Sequence, residues 1–184
     1  MILSGARTAL LALLLAGCQS VPALAAPESA PPKSVIEPNR VASVQSLERA
    51  ADEIVFGRFD SADREQETGR KVRGGRLVNF VQTLHVKTTL KGKPERLLRV
   101  VTTGIEPLPD VTHPLNSTYP GPLFEGEYVC FLKKLKGTDY YALVGGWQGV
   151  YPVEEGKTYA FEEAGFRELA GLSLDDLAKK LKRQ

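Results

Sequence analysis

Two cysteines and two histidines carry most of the reactive chemistry in this chain of 184 residues. His85 and His113 lie in different segments, and no cluster of Cys, Asp or Glu at metal-ligand spacing joins either. His85 reads as the solvent-side residue of an alternating strand. The nucleophile motifs Gly-x-Ser-x-Gly and Ser-x-x-Lys do not occur. Gly74-Gly75 and Gly145-Gly146 lack the following helix and lysine of a phosphate loop. The acidic pairs Glu154-Glu155 and Glu162-Glu163 sit in turn-rich, charged stretches and read as solvated. Cys130 lies in Tyr128-Val129-Cys130-Phe131-Leu132, an apolar strand pattern that reads as a buried, inert thiol. These readings give no cofactor, no metal and no catalytic set.

Cys18 is different. It ends Leu15-Ala16-Gly17-Cys18, directly after an apolar run from Thr8 to Leu15 that one arginine, Arg7, precedes. The run has the length of a signal-peptide h-region and is too short to span a bilayer as a helix. The four residues resemble the lipobox of bacterial lipoproteins. The resemblance implies cleavage between Gly17 and Cys18, a fatty-acyl lipid of the palmitate class on Cys18, and attachment to the membrane of the cell envelope. An ordinary secretory signal is the alternative: Ala23-Leu24-Ala25 is an A-x-A site, and cleavage after Ala25 would release a soluble secreted or periplasmic protein. Either reading exports the chain. With Cys18 lipidated, Cys130 has no intramolecular disulfide partner, so the fold rests on its core.

Removing Arg7 from the 24 basic residues leaves 23 against 22 acidic ones, so the mature chain is nearly neutral. The charge is nonetheless uneven. From Arg64 to Arg99 there are ten basic and three acidic residues; from Gly104 to Glu168 there are five and ten. The basic stretch, with Arg70, Lys71, Arg73 and Arg76, is expected to face an anionic membrane or wall surface. Interleaving of the two sets on a closed barrel would cancel that polarity. Nucleic acid is not an expected partner outside the cytoplasm.

The elements that must position these residues follow from periodicity. Residues 1–17 read as the signal peptide, 18–40 as the lipidated cysteine and a flexible Pro- and Ala-rich tether of about 25 Å as a coil, and 41–184 as one domain. Ser43 is a candidate N-cap, with Val44, Leu47 and Ala51 on one helical face. Strands are predicted at Glu53–Phe59, Leu77–Leu90, Leu97–Thr103, Tyr128–Leu135, Tyr140–Val144 and Trp147–Val153. Ser61–Gly75 reads as a long mobile loop. Leu174, Leu177, Ala178 and Leu181 mark a final helix opened by Ser173 with Asp176. The fold class is therefore mainly β: a small OB-like barrel of five or six strands, with a short N-terminal and a C-terminal helix.

Three segments then resemble the netrin-like domain of the tissue inhibitors of metalloproteinases: Ala51–Phe59, the strand ending Thr89-Leu90-Lys91-Gly92, and Glu125–Leu132. The resemblance covers residues 51–135 and implies an OB-type five-stranded barrel. The family's N-terminal inhibitory Cys and its disulfides have no counterpart here. The expected function is a membrane-anchored, non-catalytic binding or structural module of the envelope. A cell-surface hydrolase and a protease-inhibitor-like module are the alternatives. The expected site for an envelope partner is the Gly104–Pro122 loop, with five prolines, through His113, Leu115, Tyr119 and the neighbouring Trp147. The competing reading makes Pro114, Leu115 and Tyr119 a barrel plug and Trp147 core.

Overall fold

A computed structural model describes residues 29–62, 64–110 and 112–182. The expected signal peptide, with Gly17 and Cys18, and the alternative cleavage site at Ala25 lie outside the described residues. In chain order the elements are α1 (Val44–Ala50), β1 (Glu53–Phe59), β2 (Arg64–Val72), β3 (Gly75–Lys91), β4 (Leu97–Glu106), β5 (Gly126–Lys134), β6 (Tyr140–Leu143), β7 (Val150–Glu154), β8 (Lys157–Thr158) and α2 (Leu174–Lys182). Short 3₁₀ turns lie at Pro114–Ser117, Gly146–Gly149 and Arg167–Leu169.

Five strands close a ring in the order β1–β3–β4–β6–β5 and back to β1. All neighbours are antiparallel except β4 and β6, which pair in parallel from Arg99↔Tyr140 to Val101↔Ala142. The expected OB-like barrel with a helix at each end is therefore observed. The remaining strands are outgrowths: β2 pairs with the first half of β3, β7 with β5, and β8 with β7.

The period-2 alternation of the ring strands divides the apolar residues between an interior core and outer layers. Val55 and Phe59 of β1, Leu84 of β3, Leu98 and Val100 of β4, and Cys130 and Leu132 of β5 fill the interior. The opposite parity, Ile54 and Phe56 of β1 with Val129 and Phe131 of β5, packs outward under α1 and α2 through Leu47, Leu177 and Leu181. Ser43 caps α1 by accepting from the Ser46 amide at 3.1 Å. Ser173 opens α2, accepting from the Asp176 amide at 3.1 Å and donating to its carboxylate at 2.7 Å. Lys91, the last residue of β3, donates to the Glu48 and Ala51 carbonyls and so closes the C-terminus of α1. Gly92 follows at φ +99°, and a Cβ there would meet the Glu53 carboxylate, which accepts from the Lys93 amide at 2.9 Å.

Three expectations change. Ser61–Gly75 is not one mobile loop, because Arg64–Val72 forms β2 and runs back along β3. Its polar sequence carries no apolar alternation; the strand exists because β3 is long enough to pair with two partners. Trp147–Val153 begins as a 3₁₀ turn rather than a strand, since Gly145 and Gly146 both take positive φ. Part of the expected 18–40 tether is also packed rather than free. Residues 29–41 lie along the barrel, and residues 18–28 are outside the described set.

Candidate functional site

Two surfaces of the barrel stand out by their geometry. The first is the outer face of β3 and β4. Leu77, Asn79 and Val81 of β3 alternate outward beside Val101, Thr103 and Ile105 of β4. Asn79 and Thr103 are polar yet almost wholly buried, at 0% and 1% exposure. Such groups require partners. Thr103 donates to the Asn79 amide oxygen at 2.6 Å. The remaining partners come from residues 29–41, an extended strap. The Asn79 side-chain amide donates to the Pro32 and Ser34 carbonyls, each at 2.8 Å. Ile36 donates its amide to the Thr103 hydroxyl at 2.8 Å.

The rest of the strap is held in the same manner. Tyr140 donates its hydroxyl to the Ser29 carbonyl at 2.9 Å. Gln148 grips Val41 at both ends of its backbone, accepting from the amide at 2.8 Å and donating to the carbonyl at 3.0 Å. Between these anchors, Val35 packs on Leu77, Ile105 and Tyr119, and Ile36 packs on Val81, Val101 and Tyr140. Glu37 receives Arg70 at 2.6 Å and the Tyr119 hydroxyl at 3.1 Å. Burial, with that acceptor carboxylate beside it, holds the Tyr119 phenol above its ordinary value. Gly146 takes φ +61°, and a Cβ there would lie 2.8 Å from the Pro38 ring. Barrel side chains thus read mainly the backbone of an extended segment. A largely apolar groove of about 580 Å³ runs between this strap and the β5–β6 edge, lined by Val35, Ile36, Val41, Leu135, Ala142 and Leu143.

The second surface surrounds Phe124, whose exposure is 89%. Its backbone is fixed on both sides. Buried Gln82 accepts from the Leu123 amide at 2.7 Å and donates to the Leu123 carbonyl at 2.8 Å. Tyr128 donates its hydroxyl to the Phe124 carbonyl at 3.0 Å. Next along the chain, Glu125 pairs with Arg58 and accepts from the Ser61 hydroxyl. On the same strands, His85 meets the Asp60 carboxylate at 2.5 Å and Lys87 pairs with Glu127. An aromatic ring in water thus sits on a backbone with little freedom, beside charged and hydrogen-bonding neighbours.

The residues singled out from the sequence separate into two roles. Tyr119 is buried against Leu77 and Ile105, with Leu115 packed beside it. The His113 ring accepts from the Leu115 amide at 3.3 Å and caps the Pro114–Ser117 turn. Trp147 donates to the Asn116 carbonyl at 2.7 Å and stacks edge-on to Phe161, with ring centres 4.6 Å apart. These four side chains hold the loop in shape. Leu108, in the same loop, is 75% exposed.

Of the basic residues, Arg70 is tied to Glu37. Arg76 is paired with Glu106 at 2.6 Å and Glu67 at 3.2 Å. The hydrogen bond and charge of Glu106 hold the Arg76 guanidinium above its ordinary value. Lys71 and Arg73, at the tip of the β2–β3 hairpin, are exposed. Cys130 is buried in the interior, and loss of hydration pushes its thiol well above the ordinary value.

Periodicity alone does not single out Asn79, Gln82, Gln148 or Phe124. The available signal is a polar amide at an inward or covered strand position, for which Asn79 and Gln82 qualify. Among the described residues, no group of three His, Cys, Asp or Glu side chains is placed to hold a metal ion, and no helix is long and apolar enough to cross a membrane. Comparison with protein-family models, curated proteins and solved structures finds no match to this chain.

Proposed function

We propose that this chain is an exported lipoprotein, anchored through Cys18 after cleavage behind Gly17, whose barrel is a non-catalytic binding module for a protein partner in the cell envelope. The observation that carries the binding reading is Phe124. A fully buried phenyl ring is stabilised by about 1.5–3 kcal/mol relative to one left in water. Leaving one exposed while its flanking backbone is locked by Gln82 and Tyr128 gives a preorganised anchor. Such an anchor loses little conformational freedom when a partner covers it. His113, Leu115, Tyr119 and Trp147 act in this reading by shaping the adjacent loop. Arg70, Lys71, Arg73 and Arg76 form the basic hairpin arm that faces the anionic membrane or wall, with Lys71 and Arg73 making the contact. The Leu15-Ala16-Gly17-Cys18 motif and the neutral mature charge support a tethered envelope protein.

The test is Phe124→Ala in the full chain. Envelope proteins cross-linked to the wild type are identified first, and binding of the identified partner is then measured with both chains. Phe124→Ala is expected to weaken that binding at least tenfold, about 1.4 kcal/mol, with a melting temperature within about 2 °C of the wild type. Unchanged partner binding with a lowered melting temperature would show that Phe124 serves the fold instead.

A further inference from the structure

We infer that residues 29–41 are an intramolecular ligand, and that the β3–β4 outer face they cover is a second recognition surface for an extended segment of another polypeptide. The inference extends the binding-module reading to a face separate from Phe124. The strap has no place in the β-ladders: most of its hydrogen bonds to the barrel run from barrel side chains to its backbone, and Val35, Ile36 and Glu37 add side-chain contacts. Lifting it away would leave every pairing of the five-stranded ring in place. Among the described residues the strap runs into the barrel at one end, through α1. The unfilled groove of about 580 Å³ along its edge means that one side of the strap has incomplete packing, which lowers the cost of opening.

The chemistry of the preferred occupant can be read from the contacts. Asn79 requires two carbonyls two residues apart on a segment that bends at the second of them, Ser34. The prolines at positions 31 and 32 supply no amide donor and favour an extended backbone. Thr103 then receives one amide. Two consecutive β-branched residues divide between adjacent apolar hollows, as Val35 and Ile36 do. A carboxylate one residue later meets Arg70 and Tyr119. The fitting partner is therefore an extended, proline-containing peptide segment ending in two branched aliphatic residues and an acid. It would bind by replacing the strap, so the strap sets its affinity through an intramolecular competition.

The experiment uses the full chain and a fluorescent synthetic peptide of residues 29–42. Ile36→Asp in the chain places a charge in the apolar hollow and should release the strap. The peptide is expected to bind Ile36→Asp at least tenfold more tightly than it binds the wild type. Adding Asn79→Ala to that variant should remove at least tenfold of the gain, and a peptide carrying Ile36→Asp should not bind. In parallel, hydrogen exchange on the wild type should show the Ile36 and Val41 amides opening at least a hundredfold more often than the β3 and β4 ladder amides. If the strap and ladder amides exchange together, or if Ile36→Asp unfolds the barrel, the strap is part of the core and the inference is overturned. If Ile36→Asp stays folded and binds no peptide, the inference is likewise overturned. Partner binding lost in Phe124→Ala would still stand, because that ring takes no part in the strap contacts.

Discussion

At the scale of single residues, the barrel interior contains one conspicuous expense. The Thr102 hydroxyl is buried at 4% residue exposure and has no hydrogen-bond partner among the described residues. An unsatisfied buried hydroxyl costs about 1–3 kcal/mol. Thr102→Val keeps the shape and removes the polar atom, so it should raise the unfolding free energy by about 1 kcal/mol in urea titration at unchanged slope. The other buried polar side chains are satisfied and position backbone, Asn79 on the strap and Gln82 on Leu123. The sequence already pointed to Cys130 as a buried thiol, because the whole of Tyr128–Leu132 is apolar. It could not assign Asn79 or Gln148, because their partners are carbonyls and amides many residues away, and main-chain atoms leave no mark in a residue pattern.

At the scale of elements, β3, α1 and α2 were legible because each carries a period of 2 or 3.6 with a cap or turn beside it, and β1 and β5 because each holds a short continuous apolar run. The β2 strand was not, because Arg64–Val72 is nearly all polar and its only apolar residue, Val72, lies at its end. Its pairing derives from the length of β3. Arg70, Lys71, Arg73 and Arg76 thus belong to a hairpin, with a register irregularity between Glu67 and Lys71, rather than to one loop. Glu37, Glu67 and Glu106 neutralise two of the four, leaving Lys71 and Arg73 at the tip. For the unlipidated domain we expect weak binding to vesicles containing phosphatidylserine, fading as salt rises from 0.05 to about 0.5 M. Lys71→Glu with Arg73→Glu should abolish it, each charge having contributed about 1 kcal/mol at the surface. Sedimentation with vesicles measures this, and binding that ignores salt or both substitutions would remove the hairpin from the membrane contact.

At the scale of the whole molecule, the closed ring was predictable from the spacing of its strands, whereas its second layer was not. Helices α1 and α2 cover one outer face and the strap covers another, so strands such as β3 are buried on both sides over Leu77–Gln82. A double-sided burial of this kind also sets the pH response. Desolvation pushes the Tyr151 phenol up to about 12, against the opposing hydrogen bond from the Phe166 amide. Burial raises Tyr128, Tyr141 and Cys130 in the same direction. These groups hold their protons more tightly when folded than when unfolded. Their contribution is therefore fully present below the unfolded values, about 10 for the phenols and lower for the thiol, and is lost as pH rises through the folded values. For Tyr151 alone the loss is about 2 kcal/mol between pH 10 and 12. Denaturant unfolding across that range should show the decline, and Tyr151→Phe should flatten it.

The proposed roles of Phe124 and of the β2–β3 hairpin depend on where the barrel is held. A module that presents Phe124 to an envelope partner and a basic hairpin to an anionic surface makes sense when tethered beside both. The most direct measurement is mass spectrometry of the mature N-terminal peptide, from chain expressed in a lipoprotein-processing bacterium and grown with a fatty-acid probe. The expected result is a chain beginning at Cys18 and carrying the probe, found in the membrane fraction, with Cys18→Ser unlabelled and out of that fraction. A mature chain beginning at Ala26 without lipid would contradict it.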